Sequence, residues 1–119
     1  MPEDINEVVK DILKGVCSFR GVVVGENEIE PKLEFNIVNG SVESYRFTLI
    51  FRILSSRGTS IDKLARCCHE MDPYPQGQDF EYIVCDDPPI SQEVYQEVKE
   101  IFNDVEQLLL LHAFTPSLR

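Results

Sequence analysis

Three groups of residues in this chain have types and spacings that could do chemistry. The first is Cys67-Cys68-His69, a run of thiols and imidazole of the kind that holds metal or carries out redox exchange. Read as part of a helix, its consecutive side chains point about 100° apart, so three in a row cannot close on one ion. A zinc knuckle would need C-x₂₋₄-C with a second pair elsewhere, and the other cysteines, Cys17 and Cys85, do not supply it. A redox thiol needs a lowered pKa, and Glu70 beside the pair pushes the other way. These thiols read as small buried apolar groups. The two histidines, His69 and His112, have no serine in a Gly-x-Ser-x-Gly turn to activate. His112 is placed where a cation suits the C-terminal end of a helix. No catalytic set can be assembled, and the sequence predicts no enzyme.

The second group is acidic. Asp72, Asp79, Glu81, Asp86 and Asp87 lie close in sequence, around Gln76-Gly77-Gln78 and the rigid Pro88-Pro89. Calcium takes six to eight oxygens from carboxylates, carbonyls and water, which such loops can offer. The EF-hand spacing is absent, and the simpler reading has Asp86-Asp87 shaping a chain reversal. Glu26, Glu28 and Glu30 form a smaller acidic set, with Arg52 expected to neutralise one of them. No cofactor is expected, with Ca2+ as the alternative.

The third group is apolar. In Leu108–Leu111 a one-sided helix needs only Leu108, Leu109 and His112 toward a core. Leu110 and Leu111, with Phe114 beyond them, extend that surface. Either the first helix and the tail cover it, or a second chain does. The expected partner is a protein, with a homodimer among the arrangements.

The elements that must position these residues follow from periodicity. Ile5, Val8, Val9, Ile12, Leu13 and Val16 mark an amphipathic helix. Phe19–Val24 reads as a short buried strand, and Gly25-Glu26-Asn27 as a turn. Glu28–Val38 and Ser41–Leu54 alternate with their apolar residues at odd positions, which predicts a hairpin. A two-residue turn at Asn39-Gly40 would put the two apolar sets on opposite faces. A loop of three or five residues puts them on one, and sets Glu34 across from Arg46 and Glu28 across from Arg52. Ile61, Leu64, Ala65, Cys68 and Met71 fit a second helix beginning at Thr59 or Ser60. Phe80–Cys85 reads as a fourth strand. Ser91 caps a final helix carrying Val94, Val98, Ile101, Phe102, Val105, Leu108 and Leu109.

The expectation is a single α+β domain over residues 1–119, in the order α-β-β-β-α-β-α. Three to four strands form a mainly antiparallel sheet, with helices packed on one face. Its 119 residues, 43% apolar, suffice for one core. Twenty-one acids against eleven bases leave a net charge of −10, a field that repels phosphate backbones and anionic membrane surfaces. The opening Met1-Pro2-Glu3-Asp4 lacks the positive start of a signal peptide. A cytoplasmic protein with reduced thiols is therefore expected. In function, the sequence points to a non-enzymatic binding or regulatory module acting through protein contacts. A calcium-responsive protein is one alternative, and an acidic inhibitor of a nucleic-acid enzyme is another. Lys32, Arg46 and Arg52 interrupt any phosphate-like stripe of acids on the hairpin.

Overall fold

The computed structural model describes residues 4–71, 84–86 and 91–114. Helix α1 spans Ile5–Arg20, entered through Asp4, whose side chain accepts the Asn6 N–H at 2.9 Å. Its last carbonyls are closed by Gly21, which takes the left-handed conformation at φ 71° and donates to Cys17 and Ser18. The helix thus runs through Phe19, which the apolar run Phe19–Val24 assigned to a strand. Strand β1 is shorter, Val22–Val24. A single 3₁₀ turn, Glu26–Glu28, leads into β2, Glu30–Val38.

The spine is β3, Ser41–Ser56, paired antiparallel with β1 and β2 along one edge and with β4, Thr59–Met71, along the other. Strand β5, Val84–Asp86, adds antiparallel to β4, and helix α2, Gln92–Phe114, closes the chain. The α+β class and the antiparallel sheet follow the sequence reading, with one element changed, so that the sheet has five strands among the described residues instead of the expected three to four.

The β2–β3 register places Glu34 across from Arg46, as expected. The turn does not follow the expected three- or five-residue loop. Val38 pairs with Ser41 around Asn39-Gly40, both at positive φ (53° and 81°), the two-residue turn that suits a twisted hairpin. A bulge after Asn36 opposes Ile37 to Val42 and leaves Glu43 as the extra residue. One inserted residue restores the parity that a tight turn would have lost. Glu28 sits in the 3₁₀ turn, outside the ladder, and reaches Arg52 through its side chain instead.

The helix expected over residues 59–71 is a strand. Arg57-Gly58, at φ 52° and 80°, makes a second two-residue hairpin turn and returns the chain along β3. Ala65, Cys67 and His69 are buried in alternation, while Arg66 is exposed and Cys68 and Glu70 are half-buried. Ile61, Leu64, Ala65, Cys68 and Met71 satisfy the 3.6-residue period as well. A long ladder to β3 decides between the two readings, because each paired residue there satisfies backbone groups and packs on a neighbouring strand. A bulge at Asp62 (φ 50°) absorbs one residue between Ser60 and Lys63.

The odd residues of β3, from Tyr45 to Ile53, face the helices. They meet Val9, Leu13 and Cys17 of α1 and Val98, Ile101, Phe102, Val105 and Leu109 of α2. Phe47 and Phe102 stack at its centre, ring centroids 5.1 Å apart and planes 18° from parallel. Arg20 ties the two helices together by donating to Asp104 at 2.7 Å.

Candidate functional site

Polar groups buried by this packing stand out against an otherwise apolar core. His69 on β4 is 5% exposed and Glu106 on α2 is fully buried. The imidazole Nδ1 lies 2.5 Å from both carboxylate oxygens of Glu106. Tyr45 of β3 donates its hydroxyl to Oε2 at 3.2 Å, and its ring meets the imidazole edge-on, centroids 5.9 Å apart. A carboxylate can only accept, so with Glu106 ionised Nδ1 carries a proton. Among the described residues no hydrogen-bond partner reaches Nε2.

A base oriented by an acid is two-thirds of a nucleophilic triad. Neither neighbouring thiol of β4 supplies the remainder. Cys67 lies two residues earlier on the same face, but it is disulfide-bonded and cannot act as a thiolate. Cys68 points to the opposite face of the sheet, where Thr48 Oγ1 donates to its sulfur at 3.6 Å. This arrangement corrects the helical reading of Cys67-Cys68-His69: residues 67 and 69 share a face and 68 does not. The reduced state expected of all four cysteines is corrected at Cys67, while Cys17 and Cys68 are free. In backbone register Cys85 stands directly across from Cys67.

Cys17 is sealed beneath the helix pair, and its titration makes that burial measurable. Desolvation, with the Glu97 charge adding to it and Arg20 opposing, pushes the thiol from 9.0 up to about 12. The folded state therefore holds its proton where the unfolded state releases it. The stability this contributes is fully present below pH 9.0 and is lost as pH rises toward about 12. Cys17→Ala removes that dependence, so the stability gap between wild type and variant should change on passing from pH 8 to 10.5. Urea denaturation at the two pH values measures it, and a gap independent of pH would contradict the assignment. At pH 8 a thiol reagent should label Cys68 well before Cys17.

The acidic residues singled out by sequence fall in different places. Asp72, Asp79, Glu81 and Asp87 lie outside the described residues, and Asp86 ends β5 in register with Arg66. Of the smaller set, Glu26 sits 3.3 Å from Lys14, Glu28 accepts from Arg52 at 2.8 Å, and Glu30 is exposed. Arg52 also reaches Asp62 at 3.0 Å, and these carboxylates hold its guanidinium above its ordinary pKa. Among the described residues no three or more His, Cys, Asp or Glu gather where they could hold a metal ion.

The apolar helix end divides unexpectedly. Leu109 is fully buried, and Leu110 is half-buried against the core. Leu111 is 59% exposed, as is Leu108 at 47%. Phe114 ends α2, and its side chain falls outside the described residues. The structure adds what the sequence reading missed. Phe19, 93% exposed, stands on the same side as Leu108, across a cleft of about 550 Å³ between α1 and α2. Ile12 and Val16 line the cleft, and Asp11, Arg20 and Asp104 border it. The pattern Ile12, Val16, Phe19 is a second stripe, offset from the buried Val9, Leu13, Cys17. Its spacing was legible, but assigning Phe19 to a strand concealed it.

Compared with protein-family models, with curated proteins and with solved structures, the chain finds no match in any of the three. No helix of the described residues is long and apolar enough to cross a membrane.

Proposed function

We propose that this chain is a non-enzymatic protein-binding module whose contact surface is the outer face of the α1–α2 pair. The observation that carries this reading is the cleft between the helices, with Phe19 93% exposed on one side and Leu108 47% exposed on the other. Scattered apolar side chains at a surface need no explanation. A phenylalanine beside a contiguous apolar cleft does, because covering such side chains recovers about 1.5–3 kcal/mol each. Leu111 continues the strip one turn further along α2. Asp11, Arg20 and Asp104 supply the charged rim that typically surrounds a contact centre. The partner is a protein with a complementary apolar segment, and a second copy of this chain satisfies the same chemistry.

A photo-crosslinking amino acid such as p-benzoylphenylalanine tests this when placed at position 19. The same group at Arg66, exposed on the opposite face of the sheet, serves as control. Irradiation in the native extract should yield discrete crosslinked products from position 19 and none of them from position 66. A product of twice the chain mass identifies a second copy. Equal products from both positions, or none from position 19, would overturn the reading.

A further inference from the structure

A second cavity, of about 780 Å³, opens between the β3–β4 turn and the first turns of α2. Its floor holds Glu97, which is 9% exposed. Ser56 donates its hydroxyl to Oε1 of that carboxylate. Among the described residues Oε2, itself buried, accepts no hydrogen bond. Arg57 brings Nη2 to 3.3 Å of Oε2 without hydrogen-bond geometry, from a side chain 78% exposed on the turn. A buried carboxylate oxygen lacking a donor is costly, and a largely solvated ion pair offsets little of that cost. Glu93 and Glu100, four and three residues away on the same helical face, also line the cavity. Glu93 lies in the first turn, where its charge answers the positive end of the helix. Arg57 and Lys63 stand opposite these acids and Arg20 lies 3.9 Å from Glu100, so the preference for a cation comes from the donor-less Oε2 of Glu97 and not from the number of acids.

We infer that this cavity binds an organic cation, a primary ammonium or guanidinium group, which donates to Glu97 Oε2 in the place Arg57 now approaches. The exposed Arg57 side chain moves out into solvent as the ligand enters. Such a group can come from a free polyamine or from a lysine or arginine side chain of a protein partner. The inference does not rest on the α1–α2 cleft, which lies on another part of the molecule.

The test is an amide NMR titration of the full chain with spermidine, and separately with the peptide acetyl-Gly-Arg-Gly-amide. The same peptide with citrulline in place of arginine is the neutral control. Saturable shifts are expected at residues 56–63 and 91–100 with at least one cation and not with the citrulline peptide. Glu97→Gln should weaken binding about tenfold or more, since it removes the charge from the acceptor. Arg57→Ala should tighten it about two- to fivefold, because the competing guanidinium is gone. A response to spermidine alone assigns the free amine, and a response to the peptide assigns a protein side chain. Flat spectra with both cations overturn the inference, as does equal binding of the citrulline peptide or weaker binding by Arg57→Ala. The last variant leaves Glu97 and its serine in place, so the test survives a Glu97→Gln protein that fails to fold.

Discussion

Phe102→Ala is expected to lower the stability of the fold by about 3–5 kcal/mol, against the 5–15 kcal/mol typical of a whole domain. Phe102 is fully buried, and its ring lies nearly parallel to that of Phe47, centroids 5.1 Å apart. The truncation removes apolar area and leaves a void between α2 and the middle strand that neither rigid element can close. Phe102→Leu retains most of the volume and should cost less than half as much. Phe47→Ala empties the same space from the sheet side, so the double variant should lose less than the sum of the single losses. The shortfall should include the 0.5–1.5 kcal/mol typical of a stacked aromatic pair. Urea denaturation monitored by circular dichroism measures all three, with midpoints shifting at constant slope. A loss below about 1 kcal/mol for Phe102→Ala would mean that α2 does not pack on β3.

Both helices and the central hairpin were legible because each is governed by one dominant period. Val9, Leu13 and Cys17 repeat as a helix must, and Tyr45, Phe47, Leu49, Phe51 and Ile53 alternate as a half-buried strand must. From Glu30 to Asn36 the β2–β3 register was also legible, because parity and charge pairing selected it independently, whereas the rejected Ile37–Val42 pairing is the one formed next to the turn. Its turn was misjudged by assuming that no residue is inserted, whereas Glu43 bulges. The segment 59–71 was misread for a different reason. Its apolar residues fit both periods, and what decides between them is the preceding Arg57-Gly58 turn, which is less diagnostic than Asn-Gly.

Much less of the candidate sites could be read. His69 and Glu106 are 37 residues apart, and Glu97 and Ser56 are 41 apart. In α2 the acids Glu97 and Glu106 each adjoin the apolar stripe, Glu97 before Val98 and Glu106 after Val105. By composition they look like solvated flank, and the sheet's position alone makes them interior. Helical phase specifies a residue's direction to within a few tens of degrees. At the flank of the stripe that uncertainty spans the boundary between water and core. Phe19 failed through a boundary: three valines after it suggested a strand, and helix ends are the least certain feature of periodicity.

Glu106→Leu is the second large effect expected, again about 3–5 kcal/mol, and its cause differs from that of an emptied core. Leucine refills the volume, so the loss comes from the polar groups left behind. The Tyr45 hydroxyl and the His69 Nδ1–H both lose the acceptor they have in Glu106, in a largely buried site. His69→Leu alone leaves the Glu106 carboxylate without its 2.5 Å partner and should cost a comparable amount. The double variant, His69→Leu with Glu106→Leu, replaces both members by apolar groups and leaves the tyrosine hydroxyl without its Glu106 acceptor. It should therefore be more stable than either single variant, an interaction of opposite sign to the losses. Adding Tyr45→Phe removes the hydroxyl that donated to Glu106 and should bring stability near that of the wild type. A simple volume argument cannot produce that ordering, since each replacement fills its site about equally well. If the losses merely add, the three groups do not act as a unit. If the apolar triple variant folds with unchanged stability, the cluster is not required to hold the sheet and helix together. The imidazole, whose Nε2 has no hydrogen-bond partner among the described residues, is then a polar group retained at a net energetic cost, which directs the search for its role toward binding or specificity rather than stability.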